Sequence, residues 1–289
     1  MFGPYERRVV LEQGSTDING PHQGAWVTTQ TGEDWFFHFQ ELLPYGRIVH
    51  LQPMSWEDDW PIIGNNGEPV LTHRKPNVGA THPIVTPIES DEFDGETIGL
   101  QWQWHANPQP WWGYVNRDRQ QLRMFSVPLP EGSRNLWSAM NMLLQKFPGP
   151  EFTVNTKLTF TPNPSLEGER AGLIIMGFSY ANLAIEKTAE GYVLTQNECW
   201  NSNNGTPEVE NARVLLPSGE VYLRVSVGGE GALCTFFYST DGVDFQKIGK
   251  PYPARAGRWM GARMGFFHTR PRHFGDGGWI DVDFFRVTR

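Results

Sequence analysis

Apolar and polar residues alternate along most of the chain in short runs, the period of a strand with one face buried. Such runs occupy Arg7–Gln13, Gly24–Thr29, Asp34–Gln40 and Arg47–Pro53 near the start. They return at Thr153–Phe160, Gly172–Phe178, Tyr192–Gln196, Val221–Val227, Leu233–Ser239 and Trp279–Val287. Turn pairs such as Asn19-Gly20, Thr31-Gly32, Asn66-Gly67, Ser218-Gly219 and Asp241-Gly242 stand between strands at roughly the 8–12-residue spacing of sandwiches and propellers. One stretch, Trp137–Lys146, reads instead as a short amphipathic helix stopped by Pro148.

The pattern lapses at Pro76, Asn77, Gly79, Pro83 and Pro87, residues that break both helix and strand pairing. We therefore expect a linker over 77–88, a first domain over 1–76 and a two-sheet β domain over 89–289. The first piece has at most five strands and would leave sheet edges open, so it reads as part of something larger.

Composition sharpens the class. Gly 31 and Pro 22 together make about 18 % of the 289 residues, against a usual ~12 %, and aromatics reach 13 %. A turn-rich, aromatic-rich chain of this length is expected to be all-β; a helical bundle or a doubly wound α/β fold is close to excluded. The net charge of −8, without any block of like charges, argues against a nucleic-acid surface or a polybasic membrane anchor. No apolar run is long enough to span a bilayer, and the start, Met-Phe-Gly-Pro-Tyr-Glu-Arg-Arg, lacks the apolar core of a secretory signal. As written, the chain is expected to stay in the cytoplasm. Cys199 and Cys234 are too few for a zinc cage and read as two buried thiols.

Candidate chemistry is sparse. His22, between Pro21 and a Gly-flanked strand start, is held rigidly and can bind a metal or a hydroxyl, although an isolated His is more often a plain loop residue. Arg47 follows Gly46 and opens a strand, which suits a guanidinium aimed into a cavity, with a surface Arg as the default. Trp102, Trp104, Trp111 and Trp112 can form a sugar platform or pack a core; the alternation of Trp102 and Trp104 favours the core. Glu89, Asp91, Asp94, Asp281 and Asp283 can hold a structural calcium if the first and last strands pair, or remain solvated turn acids. No Gly-x-Ser-x-Gly, phosphate loop, dinucleotide fingerprint or His-Glu-x-x-His occurs.

Several ordered blocks carry a resemblance. Gly3-Pro4-Tyr5-Glu6, Asn19 through Val27, Glu33 through Gln40 and Tyr45 through Met54 together resemble the last part of the five-bladed β-propeller of glycoside hydrolase family 43, the β-xylosidase and α-L-arabinofuranosidase family. Asp91-Glu92-Phe93, Gly99 through Asn107 and Asp281 through Val287 resemble the concanavalin-like β-sandwich that follows it. The resemblance implies an all-β chain made of a partial propeller and a two-sheet sandwich, acting on xylo- or arabinoxylo-oligosaccharides without a required cofactor. His22 matches the family's axial histidine, which helps hold a central cation or water near the sugar. Arg47 matches an arginine that contacts substrate hydroxyls. The turn Trp259 through Phe266 loosely resembles a segment bordering the pocket mouth, with Arg263 where relatives can place an aromatic.

Inverting hydrolysis in that family needs a general acid and a general base about 6.5–9.5 Å apart, with a further Asp tuning the acid. The three carboxylates lie on earlier blades and have no matching positions here. Asp17, Glu33 and Asp34 are not substitutes, because being acidic and nearby in sequence is not the required geometry. The expectation is a chain inactive alone, whose partner is a missing propeller portion supplied as a separate chain or as an upstream segment. A leader lost with that segment would make the intact enzyme secreted or periplasmic. The alternative is a non-catalytic carbohydrate-binding or structural sandwich.

Overall fold

The computed structural model describes residues 2–229, 231–271 and 276–289 and divides into two compact units, Met1–Thr86 and Pro87–Arg289. Among the described residues it is all-β, interrupted by three 3-10 turns and no α-helix. No helix is long and apolar enough to cross a membrane.

The first unit is one antiparallel sheet of four strands in sequence order: β1 (His22–Thr28), β2 (Asp34–Glu41), β3 (Arg47–Glu57) and β4 (Trp60–Ile63). Its connections are short because the residues in them accept positive φ. Asp58 (φ 50°) and Asp59 (φ 63°) make a two-residue hairpin between β3 and β4, a backbone whose twist matches that of the flanking strands. Gly46 (φ 84°) closes the β2–β3 turn, where Leu42 N–H donates to its carbonyl at 2.8 Å. The register sets His22 and Val49 opposite Phe39, and Arg47 opposite Glu41, so these five side chains share one face. Arg7–Gln13 does not form the expected strand: it lies alongside the sheet, with Glu12 N–H donating to Gly67 at 2.9 Å, and Val9 remains exposed.

The second unit is a two-sheet sandwich. In the first sheet the central strands Phe152–Thr161 and Glu220–Gly228 alternate strictly between buried and half-exposed positions, one face on the core and one toward solvent. Its last strand, Trp279–Thr288, runs antiparallel to Phe152–Thr161. In the second sheet, Arg170–Met176 is buried at nearly every position, and Tyr180–Thr188 is buried from Tyr180 to Ile185. Both of its faces are covered because the segment around Leu136 folds over the outer one. There Leu136, Ala139 and Met142 pack with Leu144, Ile174, Met176, Tyr180, Ala184, Cys199 and Phe267 as a second apolar cluster.

This segment is where the expected helix fails. Trp137–Lys146 splits into a 3-10 turn, Leu136–Ser138, capped by Asn135 Oδ1 accepting from Trp137 N–H at 2.8 Å, and a strand, Leu143–Lys146, paired with Arg263–Arg270. Ten residues cannot separate helical from strand period when both faces meet apolar neighbours. Strands such as Tyr180–Thr188 and Arg263–Arg270 went unpredicted for the same reason: burial on both sides erases alternation.

Candidate functional site

Phe39 is the centre around which the two residues singled out in the first unit assemble. The His22 ring lies with its centroid 4.6 Å from that of Phe39, and the Arg47 guanidinium carbon sits 4.3 Å over the same ring. The approach has local causes. Asn19 clamps the loop before β1 onto β2, its Oδ1 accepting from Glu41 N–H at 3.1 Å and its Nδ2 donating to the Glu41 carbonyl at 3.0 Å. Gln40 Nε2 donates to the Asp17 carbonyl at 2.7 Å, and Ile18 is buried beneath the loop. Gln23, at φ 52° and within a register shift, bends the start of β1 so that His22 faces Phe39.

The hydrogen bonds define what each group has free. His22 Nδ1 bonds to the Gly20 carbonyl, which can only accept, so Nδ1 carries the proton and Nε2 of the neutral ring presents a lone pair. Arg47 spends little of its donor capacity. Its Nη1 reaches Gln23 Oε1 at 3.4 Å, its Nη2 stands 4.0 Å from Glu41, and its Nε is buried with no hydrogen-bond partner among the described residues. A cation held over an aromatic ring, with unspent N–H groups beside an imidazole acceptor, is suited to a polyhydroxylated ligand. No group of three His, Cys, Asp or Glu that could hold a metal ion occurs among the described residues. Phe39, Gln23 and Asn19 were missed from sequence. The signals for Phe39 were its place in the alternating Asp34–Gln40 run and in the Glu33 through Gln40 block.

The nearby acids are spent elsewhere. Glu33 is paired with Arg74 at 2.6 Å and accepts from Asn77 N–H at 2.8 Å, and these bonds hold its carboxyl below the usual range. Asp34 accepts from Thr28 at 2.6 Å, Trp26 at 2.8 Å and Trp56 at 3.0 Å and is lowered likewise. A carboxyl kept ionised by three donors is a poor general acid.

In the second unit, Asp91 does pair with Phe285 of the last strand, yet the five acids considered for calcium do not pool. Asp91 accepts from Phe93 N–H, Gln101 and Trp102 at 2.8, 3.0 and 2.9 Å, Asp281 takes both arms of Arg123 at 2.7 Å, Asp283 faces Gln121 and Lys157, and Glu89 pairs with Arg289. Asp94 lines a cleft with Asp91, Glu92, Leu100 and Gln101. Of the tryptophans, Trp102 (6 % exposed) and Trp112 (2 %) are core residues, Trp104 packs edge-on against Trp112 at 5.6 Å, and Trp111 alone stands out at 55 %. Arg263 points back into its own unit, donating to His105 Nδ1 at 2.9 Å. Both cysteines are free and buried.

Comparison with known proteins agrees with this architecture. Residues 90–288 match the family model for the beta-xylosidase C-terminal concanavalin A-like domain. A protein of Xylanibacter ruminicola carrying a beta-xylosidase name is 35 % identical over 93 % of this chain and 48 % of its own length, and the beta-xylosidase of Formosa agariphila is 30 % identical over 99 % and 51 %. This chain thus spans about half the length of those relatives. Among solved structures, the GH43 BlXynB protein of Bacillus licheniformis superposes with a TM-score of 0.80 at 24 % identity, covering 99 % of this chain and 58 % of its own. The xylan beta-1,4-xylosidase of Bacillus halodurans superposes with a TM-score of 0.80 at 21 %, covering 98 % and 56 %; these two likenesses speak to the fold alone. With its sandwich matched from end to end, the chain belongs to glycoside hydrolase family 43.

Proposed function

We propose that this chain forms the closing blade and the sandwich of a family 43 glycosidase that releases xylose or arabinose from xylan-derived oligosaccharides by inverting hydrolysis, as an exo-β-1,4-xylosidase or α-L-arabinofuranosidase. The observation that carries the reading is the convergence of His22 and Arg47 on Phe39. In this reading both contact substrate hydroxyls, Arg47 through its unspent N–H groups and His22 through Nε2. The beta-xylosidase names of the relatives support the substrate class.

The acid, the base and the tuning carboxylate come from propeller blades outside these residues, since Glu33 and Asp34 are locked as ionised partners of other groups. The sheet is suited to such neighbours. Val27 (43 % exposed), Phe37 (39 %) and Val49 (66 %) leave an apolar face that a stacked blade would cover. The buried Trp102 and Trp112 favour a supporting sandwich over a sugar-binding one.

The test is complementation. The chain alone should leave an aryl β-xyloside and an aryl α-arabinofuranoside intact, and adding a chain that carries the earlier blades should restore turnover, which Arg47→Ala then lowers at least tenfold. Turnover by the chain alone that disappears on mutating one of its own acids would sink the reading.

A further inference from the structure

Consecutive residues of the loop before β1 are each fastened to the sheet by a different device. The Asp17 carbonyl accepts from Gln40 Nε2 at 2.7 Å, and Ile18 is buried. The Asn19 carboxamide then grips Glu41 twice, accepting from its N–H at 3.1 Å and donating to its carbonyl at 3.0 Å. His22, opposite Phe39, is where the backbone pairing of β1 with β2 stops, so Asn19 continues that pairing along β2 with a side-chain amide in place of a backbone one. All of these contacts lie within one sheet and its own loop, and they hold whichever of its faces a neighbouring blade covers.

The clamp fixes the position of one carbonyl. Gly20 follows Asn19 at φ 43°, a left-handed backbone that glycine adopts freely. A Cβ there would meet nothing nearer than His22 Nδ1 at 4.0 Å, so glycine supplies the turn and not the space. The turn brings the Gly20 carbonyl back onto Nδ1 of His22. A carbonyl only accepts, which keeps the ring proton on Nδ1 and the lone pair on Nε2. An imidazole released from that partner favours the opposite tautomer, and the acceptor at Nε2 becomes a donor. Arg47 already supplies donors beside it, so the lone pair is what lets the two residues together satisfy a hydroxyl, which both accepts and donates.

We propose that Asn19 is a positioning residue of the sugar site: by holding Gly20 against β2 it sets the tautomer of His22, and with it the acceptor that a substrate hydroxyl meets. The proposal rests on the function proposed above for what His22 meets, and on the loop geometry alone for the tautomer.

The experiment is long-range 1H–15N spectroscopy of the imidazole rings in the 289-residue chain at about pH 8, above the ordinary imidazole range, with the His22 signals identified by their loss in His22→Gln. The unaltered chain should show His22 protonated on Nδ1. Asn19→Ala should move its tautomer ratio about fivefold toward Nε2–H, the preference that one hydrogen bond of ordinary net strength confers. Asn19→Asp, which keeps the shape but sets an oxygen against the Glu41 carbonyl, should do the same. Leu136→Ala, a destabilising change in the other unit, should leave the ratio where it was. In the complementation assay Asn19→Ala should raise KM about fivefold at nearly constant kcat, as loss of a contact made equally in ground and transition states does.

Circular dichroism identifies any variant that fails to fold; if Asn19→Ala does, Asn19→Asp decides, and if neither folds the residue is structural and the proposal falls. It is equally overturned by His22 protonated on Nε2 in the unaltered chain, by a ratio unmoved in the folded Asn19 variants, by one moved as far in Leu136→Ala, or by an unchanged KM once the tautomer has moved. The tautomer is read without hydrolysis, so absence of all turnover on complementation counts against the proposed function and not against Asn19.

Discussion

Arg47 lies over the ring of Phe39, its guanidinium carbon 4.3 Å from the centroid, on the face where the His22 ring packs at 4.6 Å. One aromatic side chain thereby positions two polar ones that are 25 positions apart in sequence and two strands apart in the sheet. Truncating it should cost both stability and placement. Phe39→Ala is expected to destabilise the chain by about 3 kcal/mol, the low end for a buried Phe. Arg47→Ala, which removes a partly exposed side chain with long polar contacts, should cost about 0.5 kcal/mol or less. Urea unfolding of both variants checks the contrast.

The cover over the second sheet depends on a buried phenol. Tyr180 Oη accepts from Leu136 N–H at 2.8 Å and donates to Glu208 at 2.8 Å, while Glu208 also pairs with Arg170 at 2.5 Å. Tyr180→Phe would strand a buried N–H and one carboxylate position, a loss of about 1–3 kcal/mol. Leu136→Ala, in the same cluster, should cost about 2–5 kcal/mol through the cavity it leaves. A fall in the urea midpoint with unchanged slope would confirm each; a midpoint within error of the parent would refute it.

His105 makes stability depend on pH. Burial, and then the Arg263 cation beside it, push its imidazole down to about 4, so the native state keeps it neutral. In the unfolded chain it takes a proton near pH 6.5. With the folded value depressed, its contribution is present in full above pH 6.5 and is lost as the pH falls from there toward about 4. Melting temperature should decline across that window, and His105→Gln should flatten the decline while leaving the value at pH 8 less affected. An identical pH profile in the variant would remove His105 from the account.

The thiols should be silent. Burial pushes Cys199 and Cys234 above the ordinary thiol range, and neither is paired. Ellman's reagent should titrate none in the native protein and two after guanidinium unfolding; a fast native equivalent would contradict their burial.

Strands were legible where one face meets water. Thr153–Phe160 and Val221–Val227 alternate because solvent on one side selects polar residues at most second positions, and turns such as Asp241-Gly242 carry the residues that positive φ demands. The strand Arg170–Met176 was anticipated as the apolar run Gly172–Phe178, but Tyr180–Thr188 and the cover segment after Asn135 were not, since an element enclosed on both sides has no period to read. His22 and Arg47 were legible through ordered motif blocks, whereas Phe39 looked like any other core aromatic.

By itself, then, the sequence determined the all-β class and the family and singled out His22 and Arg47 as candidates, because turn chemistry, alternation and motif order are properties of neighbouring positions. Only the tertiary structure decided that these two share one aromatic ring, that Asp34 binds two half-exposed indoles, and that four candidate calcium acids are each taken by another donor. Those outcomes hang on strand register, and register is settled by the joint burial of residues tens of positions apart, a sum that no local window contains.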